Sequence, residues 1–227
     1  MLKAIVFDFD GTLLESADIK TDAFADLFRE YPEHRDAILH YHETHAGISR
    51  YVKFRAIYRD ILQKPLSLIE EQQLGDAFRE LVLGKMDACP LVPGAVGFLT
   101  KVRTHSRCFI ASGTPEGELR EVVARRGIDK YFDGVYGSPA TKPEILRRIR
   151  DQHALNPLQM LYVGDALSDL QAAQAESVPF LGRTHKGQRI SFPPEAAVAL
   201  FRDFPDLERQ WDDVMARLDL NNCADPR

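Results

Sequence analysis

Two aspartates lie two positions apart at the end of a short apolar run near the start of the chain. Asp8 and Asp10 follow the apolar residues 5–7, with Phe9 between them. In an extended strand successive side chains point to opposite faces, so both carboxylates lie on one side while Phe9 packs on the other. Two negative charges about 5–7 Å apart repel each other unless a cation or a proton lies between them. The pair therefore predicts either a divalent metal site or a site that shares a proton.

A glycine directly follows these aspartates. Gly11 allows a tight turn that leaves backbone N–H groups exposed. Such groups can bind an anion, for example phosphate, which the two carboxylates alone would repel. A strand that simply ends in solvated acids is the alternative, and three further segments of matching chemistry make it the weaker interpretation.

The first of these segments places a hydroxyl and a glycine at the end of a predicted strand. Ser112 and Gly113 precede Thr114, which we predict to be a helix N-cap, and Pro115, which we predict to be the first helical residue. The Ser112 hydroxyl and the Gly113 N–H could donate hydrogen bonds to phosphate oxygens, aided by the positive end of the helix. An ordinary capped helix is equally consistent with this segment.

The second segment carries a lysine immediately before a helix-starting proline. Lys142 precedes Pro143, in a region where the predicted sheet ends beside the aspartates. There it would be a positive point charge that neutralises a bound phosphoryl group and restrains the aspartates. A solvated lysine is the alternative interpretation.

The third segment ends another apolar run in a Gly-Asp turn. Asp165 follows Gly164, and Asp169 comes four residues later, on the same face of the predicted helix. Both carboxylates could then reach a Mg²⁺ that Asp8 also binds, because Mg²⁺ prefers oxygen ligands and retains several waters. The alternative is a pair of acids that favour a helix N-terminus.

Composition narrows the class of protein. The chain has 227 residues, of which 44% are hydrophobic and 28% charged, as in a soluble globular protein with a full core. A net charge of −5 disfavours nucleic acid as a partner. Cys89, Cys108 and Cys223 are widely spaced, which suits reduced thiols better than disulfides or a zinc site. Because no 18 apolar residues run together, we predict a soluble cytoplasmic protein without a membrane partner.

The order of predicted elements divides the chain into two parts. Residues 15–89 show helical spacing of apolar residues without a convincing strand, and they end at a segment with two prolines and a glycine, residues 87–94. Beyond it, strands alternate with helices, which predicts an α/β fold with a parallel sheet. The predicted strands after the first are 108–111, 134–136, 160–163 and 178–181; the predicted helices are 94–104, 115–126, 143–152, 166–176 and 206–218, with a frayed tail over 221–227.

Ligands of such open sheets bind beyond the carboxyl ends of the strands. Asp8, Ser112, Lys142 and Asp165 would all emerge there. Four segments that are distant in sequence would therefore meet at one site.

These motifs, taken in order, resemble those of the haloacid dehalogenase superfamily. They are Asp8-Phe9-Asp10-Gly11-Thr12, Ser112-Gly113, Lys142-Pro143, and Gly164-Asp165 with Asp169. The resemblance is to the branch of phosphoglycolate phosphatases and β-phosphoglucomutases. It implies a doubly wound, Rossmann-like core over residues 1–14 and 90–227, and an inserted all-helical cap domain over residues 15–89 that acts as a mobile lid.

The resemblance also implies a role for each motif. Asp8 would attack phosphorus to form an aspartyl phosphate, while Asp10 would protonate the leaving oxygen and then activate water. Ser112, Gly113 and Lys142 would bind phosphate. Asp8, the Asp10 carbonyl and Asp165 would bind Mg²⁺, with Asp169 as a direct or a water-mediated ligand. The expected activity is Mg²⁺-dependent hydrolysis of a small phosphorylated metabolite, such as a sugar phosphate or a phosphoglycolate-like ester, and the oligomeric state stays open.

Three other activities are compatible with parts of this pattern. A phosphomutase would share every core residue and differ in how the cap excludes water. A phosphonatase would need a cap lysine that forms an imine, for which Lys20 and Lys53 are available, although nothing in the sequence indicates a lowered pKa for either. A non-catalytic phospho-acceptor is disfavoured by Asp10 and by the helical insertion.

Contacts to the rest of the substrate are expected from the helical insertion. Residues 47–55 combine a glycine turn with basic and aromatic groups, and Arg50 and Lys53 are our candidates there. Both could equally be ordinary helix residues. Four histidines precede this segment, but their spacing does not place them on one helical face as a metal site requires; they are His34, His40, His42 and His45.

Overall fold

The computed structural model describes residues 1–185 and 192–224. Six parallel strands form one sheet in the order β3-β2-β1-β4-β5-β6, so the first strand of the chain lies near the centre. This arrangement confirms the predicted α/β fold. The strands are β1 (Ala4–Phe7), β2 (Arg107–Pro115), β3 (Gly134–Ser138), β4 (Met160–Gly164), β5 (Phe180–Arg183) and β6 (Ala199–Phe201).

Alternate residues of the central strands enter two different cores. In β1, Ile5 and Phe7 belong to one buried cluster, whereas Ala4 and Val6 belong to the other. A strand that is buried on both faces reads as a continuous apolar run, which is the pattern of residues 4–7. Helices therefore cover both faces of the sheet.

Ten α-helices are present in the described part of the chain. None of them is long and apolar enough to cross a membrane. They are α1 (Ala17–Leu27), α2 (Arg35–Thr44), α3 (Arg50–Ala56), α4 (Leu68–Ala88), α5 (Ala95–Val102), α6 (Glu116–Arg125), α7 (Lys142–Gln152), α8 (Leu167–Ala175), α9 (Phe204–Arg209) and α10 (Trp211–Ala224).

The first four helices form the helical insertion, a name used below for residues 17–88. Phe24 of α1 lies against Phe54 of α3 and Phe78 of α4, with ring centroids 5.8 and 5.1 Å away. Burial of these rings stabilises the helix contacts, which matters because isolated helices as short as α1 and α3 are marginal in water. At the start of α4, Ser67 and Glu70 form a capping box that satisfies two free backbone N–H groups.

Four details differ from the sequence-based expectations. Strand β6 was not predicted, and the helix expected over 206–218 is two helices, α9 and α10, that meet at Gln210. The expected frayed tail over 221–227 is wrong as far as Ala224, which ends α10, and residues 225–227 lie outside the described residues. Thr114 is not an N-cap and Pro115 is not helical, because β2 continues to Pro115 and α6 begins one residue later.

Candidate active site

One cavity lies where the carboxyl ends of the strands meet the helical insertion. The core contributes predicted site residues that follow β1 and β4 or lie within β2, and the insertion contributes basic side chains. Parallel neighbours bring these ends together because β1 pairs with both β2 and β4. Among the residues that line the cavity are Asp8, Asp10, Ser112, Gly113 and Asp165 from the core, and Lys20, Arg50 and Lys53 from the insertion.

Three buried carboxylates form one acidic group. Oxygens of Asp8, Asp165 and Asp169 lie within 4.8 Å of one another. Burial raises the pKa of Asp8 well above its usual range; Lys142 opposes this shift, and the neighbouring aspartates add to it. The Oδ1 atom of Asp8 is buried and accepts no hydrogen bond from the described residues. A group of oxygens with one such unsatisfied carboxylate atom fits a hard divalent cation such as Mg²⁺.

A glycine is required beside this acidic group. Gly11 has a φ of +76°, and a Cβ placed on it would lie 2.1 Å from Asp165 Oδ2. Any other residue would therefore be strained and would displace the Asp165 carboxylate. The Thr12 hydroxyl donates to Asp165 Oδ1 at 3.2 Å, so the turn after β1 also orients this carboxylate.

Lys142 joins two of the three carboxylates. Its Nζ lies 2.5 Å from Asp169 Oδ1 and 3.2 Å from Asp8 Oδ1. The longer contact is an ion pair without hydrogen-bond alignment, which is consistent with the unsatisfied Asp8 oxygen. Although burial lowers the pKa of Lys142, Asp169 and Asp8 outweigh this and raise it above its usual value. Lys142 is thus held as a cation beside Asp8, which is the positive point charge that the sequence predicted there.

Asp169 accepts three hydrogen bonds. Besides Lys142, the Tyr162 hydroxyl donates to Oδ1 at 2.8 Å and the Ala166 N–H donates to Oδ2 at 3.0 Å. Asp169 therefore orients Lys142 and the start of α8, whereas Asp8 keeps an oxygen available.

Asp10 has a different environment from Asp8. Lys20 Nζ donates to its Oδ2 at 2.5 Å, the Thr114 hydroxyl donates to the same atom at 2.9 Å, and the Ser16 hydroxyl donates to Oδ1 at 2.9 Å. Burial raises the pKa of Asp10, but these donors outweigh it and lower the pKa below its usual value. Neither Thr114 nor Ser16 was predicted as a site residue, and Lys20 was considered for imine chemistry but not as a partner of Asp10.

The two predicted phosphate ligands of β2 lie beside the insertion. The Ser112 hydroxyl contacts Asp10 Oδ2 at 3.4 Å and accepts the Thr114 N–H at 3.1 Å. A Cβ on Gly113 would lie 2.4 Å from the carbonyl oxygen of Gly47, so the insertion approaches this backbone closely. Only a glycine at position 113 allows that approach.

The loop before α3 also covers the carboxyl ends of the strands. Ser168 Oγ donates to the Ala46 carbonyl at 2.7 Å. Gly47 has a φ of +79°, and a Cβ there would lie 2.8 Å from Lys142 Nζ. The insertion therefore shields Lys142 from solvent.

Arg50 and Lys53, the two candidates from α3, both line the cavity and are both buried. Arg50 binds the Glu118 carboxylate through Nη2. Lys53 Nζ lies 3.1 Å from both Nδ1 and the carbonyl oxygen of His42. Glu118 and His42 had no local sequence signal for these roles, because each partner is distant along the chain.

Burial changes the protonation of this lysine-histidine pair. It lowers the pKa of Lys53 well below its usual range, and the nearby cations Lys20 and Lys142 lower it further. Burial, together with Lys53, lowers the pKa of His42 to about 2. Lys53 thus has the lowered pKa that the sequence did not indicate. Among the described residues, the histidines of the insertion form no group that could hold a metal.

Arg183, at the end of β5, is a further residue that sequence reasoning missed. Its guanidinium donates to the Gly11 carbonyl at 2.5 Å, to Glu15 Oε1 at 2.6 Å and to the Arg202 carbonyl at 2.9 Å. It therefore fixes the turn that follows the two aspartates.

Comparisons with known proteins place this site in a family. The sequence pattern of the haloacid dehalogenase-like hydrolases matches residues 2–176. The chain is 29% identical over 180 residues to a phosphoglycolate phosphatase of Synechococcus elongatus, covering 76% of this chain and 79% of that protein. It is 26% identical over 216 residues to a phosphoglycolate phosphatase of Rhodospirillum rubrum, covering 91% of this chain and 90% of that protein.

A solved structure shows the same fold over almost the whole chain. The β-phosphoglucomutase of Clostridium difficile superposes with a TM-score of 0.79, covering 98% of this chain and 100% of that one, at 17% identity. The chain belongs to the haloacid dehalogenase-like hydrolases, which confirms the resemblance seen in its motifs. It is therefore expected to act as a hydrolase, as the description of that family states.

Proposed function

We propose that this enzyme is a Mg²⁺-dependent phosphatase that hydrolyses a small phosphorylated metabolite through an aspartyl phosphate. A phosphoglycolate-like ester or a sugar phosphate is the expected substrate, in keeping with the phosphoglycolate phosphatases that the chain resembles. The observation that carries the proposal is the state of Asp8. It is buried, close to a cation and to two other carboxylates, and it retains an oxygen that accepts no hydrogen bond from the described residues.

Asp8, the Asp10 carbonyl and Asp165 would hold the metal ion. Asp169, whose oxygens accept three hydrogen bonds, is better suited to a contact through water. When bound, Mg²⁺ would reduce the repulsion between the acidic group and a phosphate dianion.

Asp8 is the nucleophile in the first step. One of its oxygens forms a bond to phosphorus while the bond from phosphorus to the leaving oxygen breaks, and Asp10 gives its proton to that oxygen. Lys142, Ser112 and Gly113 bind the phosphoryl oxygens. In the second step Asp10 takes a proton from water, the water oxygen attacks phosphorus, and the Asp8 carboxylate is released with inorganic phosphate.

The environment of Asp10 suits both of its steps. Lys20 and Thr114 favour the carboxylate, which is the form that activates water. A phosphate dianion beside Asp10 would raise its pKa, which favours the protonated form when substrate binds.

Residues 15–89 are proposed to form a cap domain that closes over the substrate. The contacts of the Gly47 loop with Gly113 and Ser168 are those of a closed lid. Arg50 and Lys53 would then face the leaving group.

The cytoplasm as compartment and the expected absence of nucleic acid and membrane partners stay predictions.

We expect the activity to depend on the metal. Removal of divalent ions with excess chelator should lower phosphate release at least about 100-fold, and added Mg²⁺ should restore it. Calcium should inhibit, because its larger and looser coordination shell would misplace the attacking Asp8 oxygen. The measurement is the release of inorganic phosphate from a panel of phosphate monoesters.

A binding experiment provides the control for metal removal. Added Mg²⁺ should raise the melting temperature of the native protein, and Asp165→Asn should abolish that rise, whereas Asp213→Asn on the surface of α10 should preserve it. Full activity in excess chelator after metal removal would contradict the proposal.

The buried lysine supports a second candidate, cleavage of a carbon–phosphorus bond. A Lys53 amine with a lowered pKa can be neutral and can attack a carbonyl group. With a β-carbonyl phosphonate it would form an imine and release water. The electrons of the carbon–phosphorus bond would then move toward the iminium while the phosphoryl group moves to Asp8.

Borohydride reduction distinguishes this candidate from ester hydrolysis. If the imine forms, borohydride added with a β-carbonyl phosphonate should inactivate the enzyme and add mass to Lys53, and Lys53→Arg should prevent both effects. If the enzyme is a phosphate monoesterase only, borohydride should leave its activity and mass unchanged. Lys20→Arg is the control, because Lys20 is the other cavity lysine that the sequence made available for an imine.

A further inference from the structure

An ion pair at the cavity wall connects the insertion to the core. Arg50 of α3 binds Glu118 of α6 through Nη2, while its Nη1 donates to the Gly75 carbonyl at 3.3 Å. The guanidinium carbon lies 4.7 Å from the centre of the Phe78 ring. Arg50 is only 7% exposed and Glu118 only 20%. The cavity arginine therefore already holds a carboxylate supplied by the protein itself.

The other basic side chains of the cavity wall also have partners. Lys20 binds the Asp10 carboxylate. Lys53 is bound to His42, and burial lowers its pKa. Asp18 and Glu43 add negative charge to the same lining. In this wall Arg50 and Lys20 are therefore each paired with a carboxylate, and Lys53 lies against the uncharged His42.

We propose that Glu118 sets the charge of the leaving group that this enzyme accepts. By occupying Arg50, it disfavours a substrate with a second phosphate and favours one whose leaving group is neutral or carries a single negative charge. The inference rests on the proposed phosphatase activity and names its substrate class.

Two physical effects act in the same direction. A second dianion near Arg50 is repelled by the Glu118 carboxylate across a poorly solvated wall. To bind Arg50 in place of Glu118, that dianion must leave a largely buried carboxylate without its partner, which is costly. A neutral leaving group is not repelled by Glu118 and does not have to displace it from Arg50.

A matched pair of substrates measures this discrimination. Propyl phosphate and 3-phosphonopropyl phosphate have the same ester group, but the second carries an additional dianion whose carbon–phosphorus bond is not hydrolysed. The quantity of interest is the ratio of kcat/KM for the dianionic ester to kcat/KM for the neutral one. In Glu118→Gln we expect this ratio to rise about tenfold or more, because Arg50 is then available.

Three variants show whether the charge of Glu118 is responsible. Glu118→Asp keeps the charge and should keep the ratio close to that of the wild type. Arg50→Met added to Glu118→Gln should remove the gain. Glu121→Gln is the matched control: Glu121 lies on the same helix and pairs with Arg79 of the insertion at 2.8 Å, but both side chains are 42% exposed. Glu121→Gln should leave kcat/KM unchanged for both esters.

An unchanged ratio of the two kcat/KM values in Glu118→Gln would overturn the inference. An equal change of that ratio in Glu121→Gln would also overturn it, because the effect would then come from docking of the insertion. A wild-type preference for the dianionic ester would also contradict it. If the wild type hydrolyses neither these esters nor any member of the phosphate monoester panel, the phosphatase proposal fails. The inference is still tested by binding. For that purpose the dissociation constants of both esters are measured by calorimetry in an Asp8→Asn background. There, Glu118→Gln must strengthen binding of the dianionic ester relative to the neutral one.

Discussion

Replacing Asp8 by asparagine is expected to lower kcat at least about 10⁴-fold. The amide has a similar shape but cannot form the acyl phosphate, so the reaction loses its covalent step. The fold should persist, because β1 is held by Ile5 and Phe7 in the core and the substitution leaves those residues unchanged. The measurements are phosphate release under saturating substrate and the melting temperature of both proteins.

The control for Asp8→Asn is an exposed aspartate outside the cavity. Asp151→Asn, at the end of α7, should retain full activity. Acid-quenched wild-type enzyme should carry a phosphoryl group on Asp8, and Asp8→Asn should carry none. Turnover by Asp8→Asn within a few-fold of the wild type would exclude Asp8 as the nucleophile.

The second large effect is expected for Asp10→Asn, with a kcat lowered about 10²–10⁴-fold. Attack by Asp8 remains possible in this variant, but the leaving oxygen receives no proton and the water is not activated. A good leaving group such as p-nitrophenolate needs less protonation. The rate of the first step should therefore fall less for p-nitrophenyl phosphate than for an alkyl phosphate.

Rapid acid quench separates this variant from the first one. Asp10→Asn should still accumulate a phosphoryl group on Asp8 from p-nitrophenyl phosphate, whereas Asp8→Asn should not. The control is Ser16→Ala, which removes one hydrogen bond to Asp10 but retains its carboxylate and the contact with Lys20. A phosphoryl adduct found on Asp10 instead of Asp8 would reverse the assigned roles.

Several departures from the sequence-based expectations have a common physical origin. Thr114 fits a local capping pattern, yet its hydroxyl donates to Asp10, which lies 104 positions earlier in the chain. A cap needs only neighbouring residues, whereas this hydrogen bond needs β1 and β2 to be paired. Strand β6 escaped prediction because three residues are too few for a periodic pattern, and its pairing with β5 defines it.

The sequence by itself determined the parallel α/β fold and the order of its motifs. It also determined that Asp8, Ser112, Lys142 and Asp165 meet at one edge of the sheet. These conclusions depend on local properties: the alternation of side chains along a strand, the apolar length of each strand, and the glycine or proline that ends it. Parallel pairing then brings all the strand ends to the same side.

Only the tertiary structure decided which charges of the site are compensated. Lys20 pairs with Asp10, and Glu118 pairs with Arg50 across 68 residues of chain, whereas Lys53 lies against the uncharged His42. Glutamates and lysines of this kind are common on solvated helices, and nothing in their sequence neighbours distinguishes those that enter a cavity. Electrostatic interactions depend on distance and burial, which are set when the insertion lies against the core. The partners of the insertion's basic side chains could therefore be derived only from the folded chain.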